Sequence, residues 1–247
     1  MSLSGRLGLD PRRYNITRGV MLLVFLEVGM SLVYVLSPPD TRALIENYLF
    51  ATHRNVWEHG RVWTLLTGAL IEPGFFSVLL HALLLAGLFP TLERFWSTPR
   101  FLRFAVITSL IGTLAGTAIG FATGNTGVAI VGLNPFVNAG IVAFGIVYAR
   151  QPVQFMAILP LTGRQLMYGF MGFLSLSVLL RGDWDNGAAW GSAMVAAAVM
   201  TSKRWSPSLM WKKWRIARAR ARLTVMQGGV PGSGRAKPKR DEQRWLN

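Results

Sequence analysis

The sequence predicts an all-α, polytopic membrane protein, and three observations predict it. Hydrophobic residues make up 51% of the 247 and charged residues 15%, the composition of a chain largely surrounded by lipid. The apolar residues fall in six blocks, and several windows of about 20 residues hold one ionisable group or none. The 26 lysines and arginines are concentrated outside those blocks, so the net charge of +15 reads as topology and lipid contact, with no nucleic-acid partner expected. Cysteine is absent, which excludes disulfides and thiolate metal sites and leaves redox compartment open.

The first block, residues 20–36, follows Arg6, Arg12, Arg13 and Arg18 and precedes Ser37-Pro38-Pro39-Asp40 without a small-residue cleavage signal. It is expected to act as a signal anchor. Glu27 lies near its middle. A charge there would cost about 3 kcal/mol against lipid, so Glu27 is expected to be protonated or turned toward other helices. Residues 40–62 then supply charges, aromatics and two histidines for a small structured cap. His53 and His59 are read as surface residues, because two loop histidines without a third ligand do not make a metal site. Glu72-Pro73-Gly74 reads as a turn with its acid in water.

Further blocks occupy residues 75–92, 102–121, 135–149, 165–180 and 188–200. The fourth and sixth are short, as helices packed among other helices can be. Gly112, Gly116 and Gly120 recur every fourth residue in the third block, and Gly187 and Gly191 do so near the sixth. Such spacing lets helix backbones approach within one bundle. Asp183 and Asp185 flank Trp184 in a short outer turn without further ligands, too few for a cation site.

With an inside start, 22 of the 26 basic residues fall on inside segments, and the positive-inside rule supports six spans with both termini cytoplasmic. The expected organisation is a basic cytoplasmic segment 1–19, a six-helix membrane domain 20–201, an amphipathic segment 202–227 and a disordered basic tail 228–247. In the third of these, Trp211 and Trp214 share a helical face with Ala217, Ala221 and Val225, while Lys212, Lys213 and Arg215 take the other. That pattern suits the anionic cytoplasmic leaflet; RNA binding is the weaker alternative. Arg- and Ala-rich composition without cysteine points to a bacterial cytoplasmic membrane.

Two stretches carry a resemblance. Arg61-Val62-Trp63-Thr64-Leu65-Leu66-Thr67 leads into the second block, and Leu92-Glu93-Arg94-Phe95-Trp96 precedes Arg100-Phe101-Leu102. Both resemble motifs of the rhomboid family of intramembrane serine proteases, over roughly residues 20–201. The resemblance implies a six-helix bundle with a serine nucleophile opening the fourth helix and a histidine base on the sixth. Here the fourth opens with Gly132-Leu133-Asn134-Pro135-Phe136-Val137-Asn138, placing Asn134, or Asn138 one turn on, where the serine would stand. The sixth reads Ala188-Ala189-Trp190-Gly191-Ser192, and no histidine follows His81. Without nucleophile and base, hydrolysis has neither its covalent nor its proton-transfer step.

The family's oxyanion-holding pair on the second helix aligns with Ser77 and His81. The expectation is therefore a rhomboid-like pseudoprotease whose polar interior, Ser77, His81, Asn134 and Asn138, receives transmembrane segments of client proteins, with no catalytic residues, cofactor or metal. Two alternatives are carried with it. One is an active protease with a relocated nucleophile, Ser77, Ser175, Ser177 or Ser192, served by His81. The other is a proton-coupled transporter relaying through Glu27 and His81.

Overall fold

A computed structural model describes residues 16–125, 128–155, 159–202, Trp211, 214–216 and Arg218. Its elements run α1 (Arg18–Leu36), α2 (Pro39–Leu49), β1 (Ala51–Thr52), α3 (Thr64–Thr67), α4 (Phe75–Trp96), α5 (Thr98–Thr123), β2 (Ala129–Ile130), α6 (Asn134–Val147), β3 (Pro152–Phe155), β4 (Leu159–Thr162), α7 (Gly163–Arg181) and α8 (Trp184–Thr201). Each of the six apolar blocks lies on a helix of its own, the fourth running two residues past the end of α6. Three of these, α1, α4 and α5, are long and apolar enough to cross a membrane, while α6 is a shorter apolar helix. The fold is all-α and membrane-spanning; the length and apolarity of the helices carry three spans.

Local sequence explains where the helices start and stop. Proline at the start of α2, α5 and α6 gives up an N–H that has no helical partner at that position anyway. Thr162 and Gln165 form a reciprocal capping box at the start of α7. Gly182 and Gly124 adopt left-handed φ angles of 67° and 68° to end α7 and α5, a conformation that penalises any residue with a Cβ. Ser97, between α4 and α5, holds φ 72° without being glycine.

The bundle is arranged around α6, whose residues from Pro135 to Gly145 are all buried. Phe89, Phe101, Phe104 and Phe136 meet edge to face at 5.1–6.2 Å between centroids, a geometry that suits the ring quadrupoles. Phe89 lies where a side chain at Gly140 would stand. The glycine spacing of α5 finds its partner in α8: a Cβ on Gly112 or Gly116 would come within 2.9 Å of the carbonyl oxygen of Ala189 or Asp185. Gly187 packs against Val178 of α7, whereas Gly191 has open space where a side chain would be. Outward faces are apolar, with Phe25, Phe76, Leu83 and Leu180 exposed, as lipid requires.

The segment between α1 and α4 does form a structured cap. It comprises α2, a π-helical turn over Arg54–Glu58, α3 and a 3-10 turn over Gly68–Leu70. It is tied to the segment before α6 by antiparallel pairing of Ala51 with Ile130 and Thr52 with Ala129. The β3–β4 hairpin, Pro152 opposite Thr162 through Phe155 opposite Leu159, departs from the purely helical expectation. Alternation over only four residues is too short to register against the surrounding apolar runs.

At the opposite end of the bundle Glu93 closes the start of α1. Its carboxylate accepts from the Gly19 and Val20 N–H groups at 2.9 and 2.8 Å, from Thr98 Oγ1 at 2.6 Å and from Thr17 Oγ1. A negative group at helix N-terminal N–H groups is favoured by both hydrogen bonding and the helix dipole.

Residues 207–247 form a separate unit. Within it Trp211, Trp214, Arg215, Ile216 and Arg218 are helical. The two tryptophan rings lie 5.4 Å apart and Arg218 sits over the Trp214 ring at 3.7 Å. Lys212, Lys213, residues 1–15 and the tail 228–247 lie outside the described residues.

Candidate functional site

Three helices and the turn before α4 bring their polar side chains to one place inside the bundle. Glu27, fully buried on α1, meets His81 of α4, Nδ1 to Oε1, at 2.5 Å. The other ring nitrogen, Nε2, lies 3.0 Å from Asn134 Oδ1 at the first residue of α6. The Asn134 amide donates to Glu72 Oε2 at 3.1 Å and to the Val131 carbonyl at 3.4 Å. Glu72 in turn accepts from the Gly74 N–H at 3.3 Å through Oε1, and its own N–H donates to Ser31 of α1 at 2.9 Å. The result is a continuous chain, Glu27–His81–Asn134–Glu72, from mid-helix in α1 to just beneath the cap.

Each junction depends on a local feature. Glu27 and Ser31 stand one turn apart on the same face of α1. Gly132 has φ 72°, and a Cβ there would lie 2.0 Å from Glu72 Oε2, so this glycine makes the room that the carboxylate occupies. Its N–H meets the Gly68 and Ile71 carbonyls at 3.0 and 2.9 Å, pinning the start of α6 to the turn that carries Glu72.

The expected site residues divide. His81 and Asn134 come together as above. Asn138 is buried one turn further along α6 and takes no part in the chain. Ser77 is half-buried in the first turn of α4, beside Gly74. Both ring nitrogens of His81 are taken by Glu27 and Asn134, so neither is directed to Ser77 as a base. Ser192 spends its hydroxyl on the Ala189 and Ile111 carbonyls at 3.1 and 3.4 Å.

Three acids and histidines, Glu72, His53 and Asp185, differ from their sequence reading by being buried. Glu72 is 7% exposed, not a water-facing turn residue. Burial holds its carboxyl above the usual carboxylate range, against the opposing pull of His81 and the Gly74 N–H. The sequence offered no signal for this beyond the unusual left-handed demand at Gly132. His53 is buried, 3.8 Å from Glu58, with no partner for Nδ1 among the described residues, while His59 is exposed. Asp185 is buried and accepts from Asn125 at 2.8 Å, and Asp183 caps the start of α8. Among the described residues no three histidine or acidic side chains converge to hold a metal ion.

A second feature lies away from this chain. Parts of α5, α6, α7 and α8 surround a partly open cavity of about 720 Å³ lined by apolar groups including Val142, Met171, Leu174, Trp190 and Val195. The Trp190 indole N–H is buried without an acceptor among the described residues.

A buried bundle of this kind within residues 20–202 coincides with the span of one family model, described as Eukaryotic integral membrane protein (DUF1751). The chain belongs to this family. A search among curated proteins finds no match. Membership corrects the expectation of a bacterial cytoplasmic membrane: the family is one of eukaryotic integral membrane proteins. Hydropathy reports that a helix faces lipid and not whose lipid it is, and arginine content and missing thiols are compatible with many membranes.

Proposed function

We propose that this family member is a rhomboid-like membrane scaffold of six spans that holds transmembrane segments of client proteins without cleaving them. The observation that carries the reading is the partly open apolar cavity lined chiefly by α7 and α8. In lipid, an apolar groove gains little from hydrophobicity alone, so an occupant must pack closely or hydrogen-bond. The cavity supplies both means. Gly191 on α8, which lines the cavity, has open space at its Cβ position, which permits close approach of a helix backbone, and the Trp190 side chain in the same lining carries a buried N–H without an acceptor among the described residues.

The polar chain supports the absence of cleavage. A serine protease needs a hydroxyl within hydrogen-bond reach of a base and donors for the developing oxyanion. Here an amide stands at the fourth helix's opening, and the base is committed on both sides. The polar interior of Ser77, His81, Asn134 and Asn138 would then position α4 and α6 rather than act on a client. At the membrane surface, Trp211, Trp214 and Arg215, with Lys212 and Lys213, would bind anionic lipid.

Photo-crosslinking tests the reading. A photoreactive amino acid placed at Leu174 or Val195, inside the cavity, should capture single-span helices in liposomes, while the same group at Val106 on the outer face of α5 should not. Equal capture at all three positions, or none at Leu174 and Val195, would refute it.

A further inference from the structure

We propose that residues 62–71, the last part of the cap, form a re-entrant segment seated below the headgroups of the leaflet on the capped side, with the acyl chains of that leaflet as its partner. The proposal goes beyond the client reading and does not depend on what the cavity holds.

The spanning helix α5 gives the depth. Trp57 of the π-helical turn holds its ring 6.1 Å from that of Phe121 in the last turn of α5, so this part of the cap is level with the end of that helix. α3 lies lower, because Thr113 Oγ1 donates to the Leu65 carbonyl at 3.0 Å. Thr113 stands ten residues before the last residue of α5, about 15 Å down the helix at about 1.5 Å per residue. The 26 residues of α5 measure about 39 Å, about 9 Å more than a hydrocarbon core of about 30 Å. With all of that surplus on the capped side, the Leu65 carbonyl still lies about 6 Å inside the hydrocarbon; with the surplus shared equally between the two ends, it lies about 10 Å inside.

Backbone at that depth is tolerated only where protein meets its polar groups, and here protein does. From Thr64 to Gly68 every N–H donates to a carbonyl three or four residues back. The Leu65 carbonyl accepts from Thr113, and the Gly68 and Ile71 carbonyls accept from the Gly132 N–H at 3.0 and 2.9 Å. Thr64 and Thr67 spend their hydroxyls on the Arg61 and Leu49 carbonyls at 2.7 and 2.9 Å.

The side chains sort the same way. No charged residue occurs between Arg61 and Glu72, and the residues this stretch exposes, Val62, Trp63 and Leu66, are apolar. Polar anchors stand at its upper end. The Arg61 guanidinium lies over the Tyr48 ring at 4.3 Å, and the Trp63 N–H donates to the Tyr48 carbonyl at 3.0 Å. Tyrosine and tryptophan suit the headgroup level, and an arginine there keeps its charged end toward water. Phe75 and Phe76, exposed at the start of α4, continue the same apolar surface onto a spanning helix, so the lipid that covers α4 extends over the segment.

The test uses the full chain in liposomes of a zwitterionic lipid. Because the chain has no cysteine, Leu66→Cys, Val62→Cys and Leu114→Cys each take a nitroxide label at one place. Leu114 is exposed on α5 beside Thr113 and serves as the reference for that depth. Spin relaxation by oxygen, which concentrates among acyl chains, and by a water-soluble nickel chelate reports the surroundings of each label. The Leu66 label should match Leu114, with high oxygen contact and loss of chelate contact, and the Val62 label should fall between Leu114 and water. Chelate contact at Leu66 equal to that of a label free in buffer would overturn the proposal. Low contact with both relaxants would mean that a second copy of the chain covers the segment, and would overturn it as well. Should Leu66→Cys fail to fold, the Val62 label decides, and chelate contact there equal to that of the free label refutes the insertion.

Discussion

Removing the Glu93 carboxylate tests how this bundle is closed. In Glu93→Ala the Gly19 and Val20 N–H groups lose acceptors at 2.9 and 2.8 Å, and the Thr17 and Thr98 hydroxyls must find others. Each buried N–H left without a partner costs about 1–3 kcal/mol. Loss of negative charge at the start of α1 adds about 0.3–1 kcal/mol. The hydroxyls, being rotatable, add little, so the expected destabilisation is about 4 kcal/mol. Glu93→Gln keeps one acceptor oxygen but turns an NH2 toward an N–H, for about 2 kcal/mol. Gly19→Ala provides a coupled control. Its Cβ would stand 2.9 Å from the Glu93 carboxylate, an overpacking worth about 1–3 kcal/mol in the wild type and nearly nothing in Glu93→Ala. Thermal unfolding in detergent, followed by fluorescence of Trp96 less than a turn away, measures all of these. Wild-type melting of Glu93→Ala, or an equal cost for Gly19→Ala in both backgrounds, would refute the reasoning.

Gly132→Ala should destabilise by about 3 kcal/mol or more, since it combines a left-handed φ with a Cβ 2.0 Å from Glu72 Oε2; a melting curve within a degree of wild type would contradict this. Ser97→Gly should stabilise by about 1 kcal/mol, because φ 72° with ψ 154° penalises a Cβ that glycine lacks, read as a raised Tm. Glu72 has a folded pKa above its unfolded one. Its protonated form therefore contributes stability that is full below the unfolded pKa and is lost as pH rises through the folded value. Tm should fall over that window in the wild type and stay level in Glu72→Gln. Neither the wild type nor His81→Ala or Ser77→Ala should cleave transmembrane substrates in liposomes that an active rhomboid cuts in parallel; cleavage lost in either variant would restore the relocated-dyad alternative.

The sequence by itself determined the class of solvent and the helices. Length, apolarity and charge placement are local properties, and they located α1, α4, α5, α6, α7 and α8 and the glycine face of α5. Gly112 and Gly116 were legible as contact points because a four-residue recurrence of missing side chains has few other uses in a membrane helix. Asn134 at the head of the fourth helix and the want of a later histidine were legible for the same reason, each being a matter of residue identity at a place. Tertiary structure alone decided what these residues meet. The partners in the polar chain are separated by 54, 53 and 62 residues, and no periodicity links them. Glu72, His53 and Asp185 read as surface groups because turns are ordinarily wet; each is buried because another element folds over it. Glu27 shows the division most plainly: hydropathy required that it avoid lipid, and only the packing of α1 on α4 supplied His81 as the group it turns to.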